Sequence, residues 1–228
     1  GKDFWIGMYP SQLAYYSSET GQIRYGNQIR GIENISPYIL YSSIPSVKLR
    51  FNGELWIATN GSGIIVVPPG QRGKALMLSA ADGTTIADDY VNMLFESRDN
   101  VMWVGQRSGL SIVTPDGKGR RLEMKDGRGS FANCDVRGII QDHKGRLWIA
   151  TDNEGIIRIT GNSAHPNRFV YRHYTPENGR FSLHDASTCF EDRAHRLWAV
   201  SYTGGLFIYD APHDRFVPVN REYQLGRG

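Results

Sequence analysis

The sequence has few of the residues that would mark a disulfide scaffold or a membrane span. Its only cysteines are Cys134 and Cys189, and two thiols are too few for a disulfide framework or a four-thiolate zinc site. No apolar run approaches the roughly 20 residues that cross a bilayer as a helix. The opening residues GKDFWIGMYP do not show the basic-then-apolar pattern of a signal peptide.

Neither sign of charge dominates, and the common catalytic motifs are missing. The chain has 26 Lys and Arg residues against 23 Asp and Glu, a formal net charge of +3, which gives no reason to expect a nucleic-acid partner. The six histidines show no HExxH spacing, and the chain contains no Gly-x-Ser-x-Gly elbow and no Walker-type loop. We therefore predict no catalytic residue, no metal site and no cofactor.

What the sequence does contain is an internal repeat that involves every tryptophan. The five tryptophans are separated by 51, 47, 45 and 50 residues, and the position before each is apolar. The aligned segments read DFWIGMYPSQLAYY, ELWIATNGSGIIVV, VMWVGQRSGLSIV, RLWIATDNEGIIRI and RLWAVSYTGGLFIY. The repeats are centred on Trp5, Trp56, Trp103, Trp148 and Trp198. Self-similarity at such a period indicates a repeat architecture.

Small residues and glycines recur at fixed places after the tryptophan. The second position after it favours small side chains, which predicts close packing against a neighbouring backbone: Gly7, Ala58, Gly105, Ala150 and Val200. A few residues later a glycine opens the next apolar run, at Gly63, Gly109, Gly155 and Gly205, whereas the first repeat has Gln12 there. Glycine permits a positive φ, so each pair of runs is predicted to form a hairpin.

A second hairpin is predicted before each tryptophan. An apolar run is followed by a polar block, and three residues before the tryptophan stand Gly53, Asn100, Gly145 and His195, mostly types that tolerate a left-handed turn. A fourth, outer strand is expected at KALMLSA, GRRLEM, RFVYRHY and RFVPVN. Each period therefore contains about four short strands.

These patterns predict an all-β fold, a β-propeller built of four-stranded antiparallel blades. Sustained helical spacing of apolar residues is missing, and Gly or Pro interrupts the chain every few residues. A parallel β-helix would need a much shorter period, and a β-sandwich would give no reason for tryptophan to recur in register. The propeller is the preferred interpretation.

The repeat resembles the two-component regulator propeller repeat. The segment VRGIIQDHKGRLWIATDNEGIIRIT, residues 136–160, is the clearest copy, and ASTCFEDRAHRLWAVSYTGGLFIYD, residues 186–210, is the next. Propellers of the WD40, kelch and Asp-box kinds fit less well. An Asp-box needs an acidic residue five positions before the aromatic, where this chain has Phe51, Arg98, His143 and Arg193.

The resemblance implies a sensor domain without catalysis of its own. Such repeats are typical of the periplasmic sensor domains of hybrid two-component receptors of Bacteroides-like bacteria, which often respond to oligosaccharides released from glycans and carry a histidine kinase. Its implied partners are an oligosaccharide or other small ligand, and the remaining blades and membrane-linked domains of the receptor. It would form a homo-oligomer without contacting nucleic acid. A lyase or glycoside hydrolase and a protein-interaction scaffold remain alternatives.

The candidate ligand-binding residues lie in the turn after each tryptophan strand. If the blades are equivalent, these turns open on one rim, and a mixture of Tyr, Asn, Asp and Arg suits a hydroxyl-rich ligand. The candidates are Tyr9, Asn60, Arg107, Asp152, Asn153 and Tyr202. The tryptophans themselves are interpreted as packing between blades and not as a sugar-stacking surface.

Acid-base groups and cysteines are weaker candidates. If the propeller were an enzyme, Asp88, Asp89 or Glu177 could take part in proton transfer, although most exposed carboxylates do not. A disulfide between Cys134 and Cys189 is not expected, because equivalent strands of adjacent blades usually lie beyond bridging distance.

We expect residues 1–228 to be a partial propeller of about five blades. The chain opens on DFWIG, the second strand of a repeat, and closes on REYQLGRG before another apolar run begins. A fragment of a larger, seven-bladed propeller would be an open array whose end blades meet missing blades or partner chains. The rival is a closed five-bladed ring, which would require YQLGRG to pair as the first strand of the first blade.

Overall fold

The computed structural model describes residues 3–29, 32, 41–69, 75–82, 85–123, 131–163 and 165–219. The chain divides into two compact units. The first unit contains the strands up to Glu123 and the segment Phe131–Asn133, and the second begins at Cys134. We number the five successive sheets blades 1 to 5.

The first unit contains blades 1 to 3, all antiparallel. Blade 1 has three described strands, paired in the order β1 (Phe4–Gly7), β2 (Leu13–Ser17), β3 (Gln22–Tyr25). Blade 2 is β4 (Val47–Leu49), β5 (Leu55–Ala58), β6 (Ile64–Val67) and β7 (Leu76–Leu78). Blade 3 is β8 (Val91–Glu96), β9 (Met102–Gln106), β10 (Gly109–Val113) and β11 (Gly119–Arg121). Each strand pairs with the next in sequence.

The second unit contains blades 4 and 5, built in the same way. Blade 4 is β12 (Val136–Gln141), β13 (Leu147–Thr151), β14 (Ile156–Thr160) and β15 (Val170–Tyr174). Blade 5 is β16 (Thr188–Glu191), β17 (Leu197–Ser201), β18 (Gly205–Asp210) and β19 (Arg215–Pro218). The predicted outer strands are present as β7, β11, β15 and β19. The all-β propeller fold and its four-stranded blades are confirmed.

The helical segments whose bounds the structure describes are short. The bounded segments are 3-10 turns at Gly26–Gln28, Ala80–Asp82, Phe131–Asn133 and Pro166–Arg168. Within the described ranges, no helix has the length and apolarity of a membrane span.

The tryptophan strands carry apolar side chains on both faces, and this allows blades to stack. In β5, Leu55 and Ile57 belong to the core between blades 1 and 2, whereas Trp56 packs in the core between blades 2 and 3. Strand β13 repeats the arrangement, with Trp148 facing the core shared with blade 5. The exposed fractions of Trp56, Trp103, Trp148 and Trp198 are 3%, 0%, 0% and 4%. The interpretation as packing residues is confirmed for these four, and Trp5 is partly buried against the core of blades 1 and 2.

The turns before the tryptophans have the left-handed backbone that the sequence predicted. The φ angles of Gly53, Asn100, Gly145 and His195 are 83°, 61°, 79° and 60°. After the tryptophan, Gly155 has a φ of 68°, and a Cβ there would lie 2.3 Å from the Tyr174 carbonyl oxygen of the outer strand. Gln12, at the corresponding place in blade 1, has a φ of 109°, so the backbone conformation persists without glycine.

Both cysteines are buried and free. Burial raises the pKa of each thiol to about 12, so neither is a reactive thiolate at neutral pH. Residues 220–228, which include the segment required for a five-bladed ring, lie outside the described residues. Blade number and ring closure therefore stay predictions.

Candidate functional site

The candidate residues occupy one end of the strands within each unit. Successive strands of a blade run in opposite directions, so the turn from the second to the third strand lies at the same end as the exit from the fourth strand. The turn from the first to the second strand lies at the other end. We call these the ligand end and the tryptophan end of a blade.

In the first unit, Tyr90 connects two of the predicted residues. Asn60 forms an antiparallel bridge with Tyr90. The Arg107 guanidinium lies 5.6 Å from the centre of the Tyr90 ring, and the Arg107 N–H donates to the Tyr90 carbonyl at 3.0 Å. Tyr90 is 42% exposed and Tyr9 is 87% exposed. The ligand end therefore offers a partly exposed aromatic face with a guanidinium above it and an amide nearby.

In the second unit, Arg137 connects the predicted turn to the start of blade 4. Its Nη2 donates to Asp135 Oδ2 at 2.8 Å and to Asp152 Oδ2 at 3.0 Å. Asn153 Oδ1 accepts the Asp135 N–H at 3.1 Å. Tyr202 is 78% exposed. Asp152 and Asn153 thus form one polar network, which the sequence did not predict because Arg137 lies in a different strand.

A groove of about 680 Å³ opens at the ligand end of the second unit. Its lining is polar with one tyrosine and comes from the turn after β13, from β15 and from the segment that follows β15. The lining residues are Glu154, Tyr171, Arg172, His173, Thr175, Glu177, Asn178 and Arg180. Such a surface can hold a hydroxyl-rich ligand through hydrogen bonds and through contact with the tyrosine ring.

Asp214 holds the arginines of this groove in place. Its carboxylate accepts Arg172 at 2.7 Å and Arg180 at 2.8 Å, and the Tyr174 hydroxyl donates to it at 2.7 Å. Burial by itself would raise the pKa of Asp214, but donation from Tyr209 and Tyr174 and the nearby arginines lower it below the usual range. Asp214 is therefore an ionised support for the groove wall.

The three carboxylates considered for acid-base chemistry have different surroundings. Asp88 Oδ1 accepts the Tyr90 N–H at 3.0 Å, and Asp89 Oδ1 accepts the Ala80 N–H at 2.7 Å, so both stabilise local backbone turns. Glu177 lines the groove and pairs with His184 at 3.0 Å. A hydrogen bond from Thr175 is the largest influence that lowers the pKa of Glu177, and His184 adds to it.

At the tryptophan end, blades 4 and 5 share a clamp of Asp, Arg and Trp. Asp142 Oδ2 accepts Trp148 Nε1 at 2.8 Å and Arg146 Nε at 2.6 Å. Burial would raise the pKa of Asp142, but these donors outweigh it and hold the pKa below its usual value. Asp192 repeats the arrangement with Trp198 at 2.9 Å and Arg196 at 2.6 Å. The aspartate lies six residues before the tryptophan and the arginine two before it.

Blade 2 has the same clamp with the charges exchanged. Arg50 stands six residues before Trp56, and Glu54 stands two before it. Glu54 Oε2 accepts Trp56 Nε1 at 3.0 Å and Arg50 Nη1 at 3.3 Å. Arg50 also reaches blade 3, where its Nε donates to Glu96 Oε1 at 2.9 Å.

The clamp of blade 4 lies within a segment that matches a known family. A family model described as two component regulator propeller matches residues 130–153. Residues 130–153 thus match a two-component regulator propeller repeat. Blades 4 and 5 share the aspartate, arginine and tryptophan at the same spacing, in agreement with the resemblance seen in the sequence.

Solved structures share the propeller fold with this repeat protein. The extracellular domain of the putative hybrid two component system BT3049 from B. thetaiotaomicron is 21% identical with a TM-score of 0.73, and the match covers 96% of this chain and 27% of that one. PorZ of Porphyromonas gingivalis, a component of the type-IX secretion system, is 15% identical with a TM-score of 0.69, over 97% of this chain and 33% of that one.

An enzyme with the same fold is also similar. Virginiamycin B lyase from Staphylococcus aureus is 15% identical with a TM-score of 0.64, and the match covers 92% of this chain and 64% of the lyase. The chain thus spans about a quarter of the length of the BT3049 domain and about two thirds of the lyase. No curated protein sequence matches the chain significantly.

The structure also groups residues that the sequence did not suggest. His143, Glu191 and His195 place one ligand atom each within 4.8 Å of one another. The sequence predicted no metal site because His143 lies 48 positions before Glu191 and the six histidines show no metal-binding spacing. The positions of the three grouped residues in the repeat carry the missing signal, since all three lie in or beside the turn before a tryptophan in adjacent blades.

Proposed function

We propose that the chain is part of the ligand-sensing input domain of an extracytoplasmic two-component receptor. The family repeat in blade 4 is the observation that carries the proposal. The likeness to the extracellular domain of a putative hybrid two component system supports it. In this proposal the chain is periplasmic, lacks catalysis, and acts with the remaining blades and membrane-linked domains of a homo-oligomeric receptor.

The proposed ligand is an oligosaccharide bound at the ligand end. Two features of that end support it: the polar groove of the second unit, and the group of Asn60, Tyr90 and Arg107 in the first unit. Tyrosine faces and fixed guanidinium and carboxylate groups can contact the ring faces and hydroxyls of a sugar.

The test is calorimetric titration of the untagged chain with a panel of glycan oligosaccharides. Saturable binding without turnover supports sensing. The variants Tyr171→Ala and Glu154→Gln alter the groove, and Arg107→Ala alters the other candidate surface. Lys118→Ala is the matched control, because this 84% exposed cation lies in a turn at the opposite end. Undiminished binding in all three site variants would contradict a site at the ligand end.

A lyase is the second candidate, because a bacterial lyase has a similar fold. The Glu177 and His184 pair beside the groove is the described acid-base couple that such chemistry would use. Product formation during incubation with the same oligosaccharides, abolished by Glu177→Gln, would favour the enzyme. Binding with unchanged oligosaccharide after prolonged incubation would favour the sensor.

A further inference from the structure

Two imidazoles and a carboxylate meet at the tryptophan end of blades 4 and 5. His143 Nδ1 contacts Glu191 Oε1, and His195 Nδ1 lies 3.8 Å from Glu191 Oε2. The centres of the two imidazole rings are 4.3 Å apart. Exposed fractions of the three side chains are 34% for His143, 16% for Glu191 and 63% for His195, so one side of the cluster is open to solvent.

The spacing of the ligand atoms is close to what a small dication requires. Tetrahedral zinc with bonds of about 2.0–2.1 Å to nitrogen and oxygen places its ligands about 3.3–3.4 Å apart. The three ligand atoms here lie within 4.8 Å of one another, and His143 Nδ1 and Glu191 Oε1 are in direct contact. Side-chain movements of about an ångström, which separate these two atoms and draw His195 closer, would complete the geometry. Two imidazoles and one carboxylate are also a donor set that zinc prefers, with the fourth position left to water.

The backbone holds these side chains in position. Glu191 Oε2 accepts the His143 N–H at 2.8 Å, which fixes the carboxylate of blade 5 against the turn of blade 4. His195 has a φ of 60°, and its N–H donates to the Asp192 carbonyl at 2.9 Å. The clamps of Asp142 and Asp192 order both turns. Much of the conformational entropy of the ligand-bearing turns is therefore already lost before a metal binds.

The equivalent place between blades 2 and 3 contains a permanent cation. Glu96 and Glu191 both stand seven residues before their tryptophans. Glu96 accepts Arg50 Nε at 2.9 Å and faces the Phe51 N–H at 3.4 Å, as Glu191 faces the His143 N–H. In the part of the chain that the structure describes, Glu191 has no guanidinium within ion-pair distance and meets the two imidazoles instead.

We propose that His143, Glu191 and His195 bind a zinc-class dication that links blade 4 to blade 5. The dication would neutralise Glu191 as Arg50 neutralises Glu96, and it would be exchangeable because the cluster faces solvent. The site lies at the opposite end of the strands from the groove. The proposed metal binding therefore does not depend on the proposed sensing function.

The test is titration of the untagged, chelator-treated chain with ZnCl₂, followed by calorimetry and thermal unfolding. We expect one ion per chain and a higher unfolding temperature with zinc. His143→Gln, Glu191→Gln and His195→Asn should each weaken binding by about 10-fold or more, as loss of one of three protein ligands requires. Asn is chosen at position 195 because it tolerates the left-handed backbone.

His213→Gln is the matched control, because His213 is an exposed histidine that pairs with Asp210 and, among the described residues, belongs to no group of three metal-ligating side chains. This variant should bind zinc like the parent chain. Circular dichroism of each metal-free variant separates loss of a ligand from loss of the fold. Failure of the parent chain to bind at millimolar ZnCl₂ would overturn the proposal. Undiminished binding in the His143→Gln/His195→Asn double variant would overturn it as well.

Discussion

The junction of blades 2 and 3 and the junction of blades 4 and 5 use the same repeat positions with different chemistry. Between blades 2 and 3, the Arg50 side chain is 4% exposed and connects Glu54 of its own blade to Glu96 of the next. Between blades 4 and 5, Asp142 takes the position of Arg50, and Arg146 takes that of Glu54. The difference shows that the repeat fixes the hydrogen bond to tryptophan but leaves the sign of each charge free.

Exchanging the clamp charges changes what the neighbouring blade must supply. Where the cation stands six residues before the tryptophan, it satisfies the carboxylate of the next blade directly. Where an aspartate stands there, as in blade 4, the carboxylate of the next blade, Glu191, meets the exposed histidines His143 and His195. One junction is therefore a largely buried ion network, and the other is open to solvent.

The largest expected loss of stability follows from removing Trp148, and it should exceed the loss from removing Trp56. Trp148 contacts three aromatic rings, Tyr209, Tyr174 and Phe216, with ring centres 5.0–5.7 Å away. Trp148→Ala should lower the free energy of unfolding by about 3–5 kcal/mol, because it removes these contacts and leaves a cavity. Trp56→Ala should cost less. Urea unfolding of both variants would refute this order if Trp56→Ala were the more damaging.

Removing the buried guanidinium should have the next largest effect. Arg50→Met leaves Glu96, whose side chain is 9% exposed, without its partner. Breaking a buried ion pair from one side costs about 3 kcal/mol or more. The double variant Arg50→Met/Glu96→Gln should recover part of the loss, because it also removes the unpaired charge. A double variant as unstable as the single variant would show that the loss comes from packing alone.

The aspartate clamps should produce a smaller, pH-dependent effect. Asp142→Asn replaces charge-assisted hydrogen bonds with neutral ones and should cost about 1–3 kcal/mol at pH 7. Burial opposes ionisation at Asp192, but donation from Trp198 and Arg196 lowers its pKa from 3.8 to about 2, and the pKa of Asp142 is also lowered. Groups whose folded pKa is depressed stabilise the fold above their unfolded pKa and lose that contribution as the pH falls.

The stability of the parent chain should therefore fall as the pH drops from about 4 toward about 2, and less steeply in Asp142→Asn. Urea unfolding at a series of pH values measures the two slopes. Equal slopes in the parent and the variant would show that Asp142 does not contribute to the loss of stability at low pH. Asp192→Asn gives the matched comparison in blade 5.

The smallest effect is expected at the open junction without metal. Glu191→Gln removes ion pairs to histidines that are 34% and 63% exposed, and exposed pairs contribute about 0–1 kcal/mol. Its urea unfolding in chelator should nearly match that of the parent chain, in contrast to Arg50→Met. A loss as large as that of Arg50→Met would contradict the distinction between the two junctions.

Much of the fold could be predicted from the sequence, because strand periodicity and turn chemistry are local. The recurrence of tryptophan predicted the blades, and the residues three before it predicted left-handed turns, even at His195. The candidate site was predicted less completely. Tyr90, which links Asn60 to Arg107, lies outside the turns that the repeat singled out.

The clamps and the histidine cluster were missed for a related reason. Asp142 is an acidic residue in a turn, and nothing in its local sequence distinguishes a solvated carboxylate from the acceptor of an indole N–H. His143 and Glu191 lie 48 positions apart, and only the stacking of adjacent blades brings them together. Their positions relative to the tryptophans, and not their residue types, are what place His143, Glu191 and His195 at one junction.

The left-handed residue before each tryptophan has a wider consequence for how such a protein can change. In blades 3 and 5 it meets the preceding blade, through the Asn100 carbonyl that accepts from Arg50 and through the His195 ring beside His143. The strands on either side carry the stability, so its identity can vary at little cost to the fold. Asn100 occupies that place in blade 3 and His195 occupies it in blade 5. The residue five before the tryptophan, as at Phe51 and His143, lies at the same junction. Substitutions at these two positions can therefore change one junction between blades while the strands stay the same. New specificity can then arise by point substitution at one junction while the others keep their existing roles.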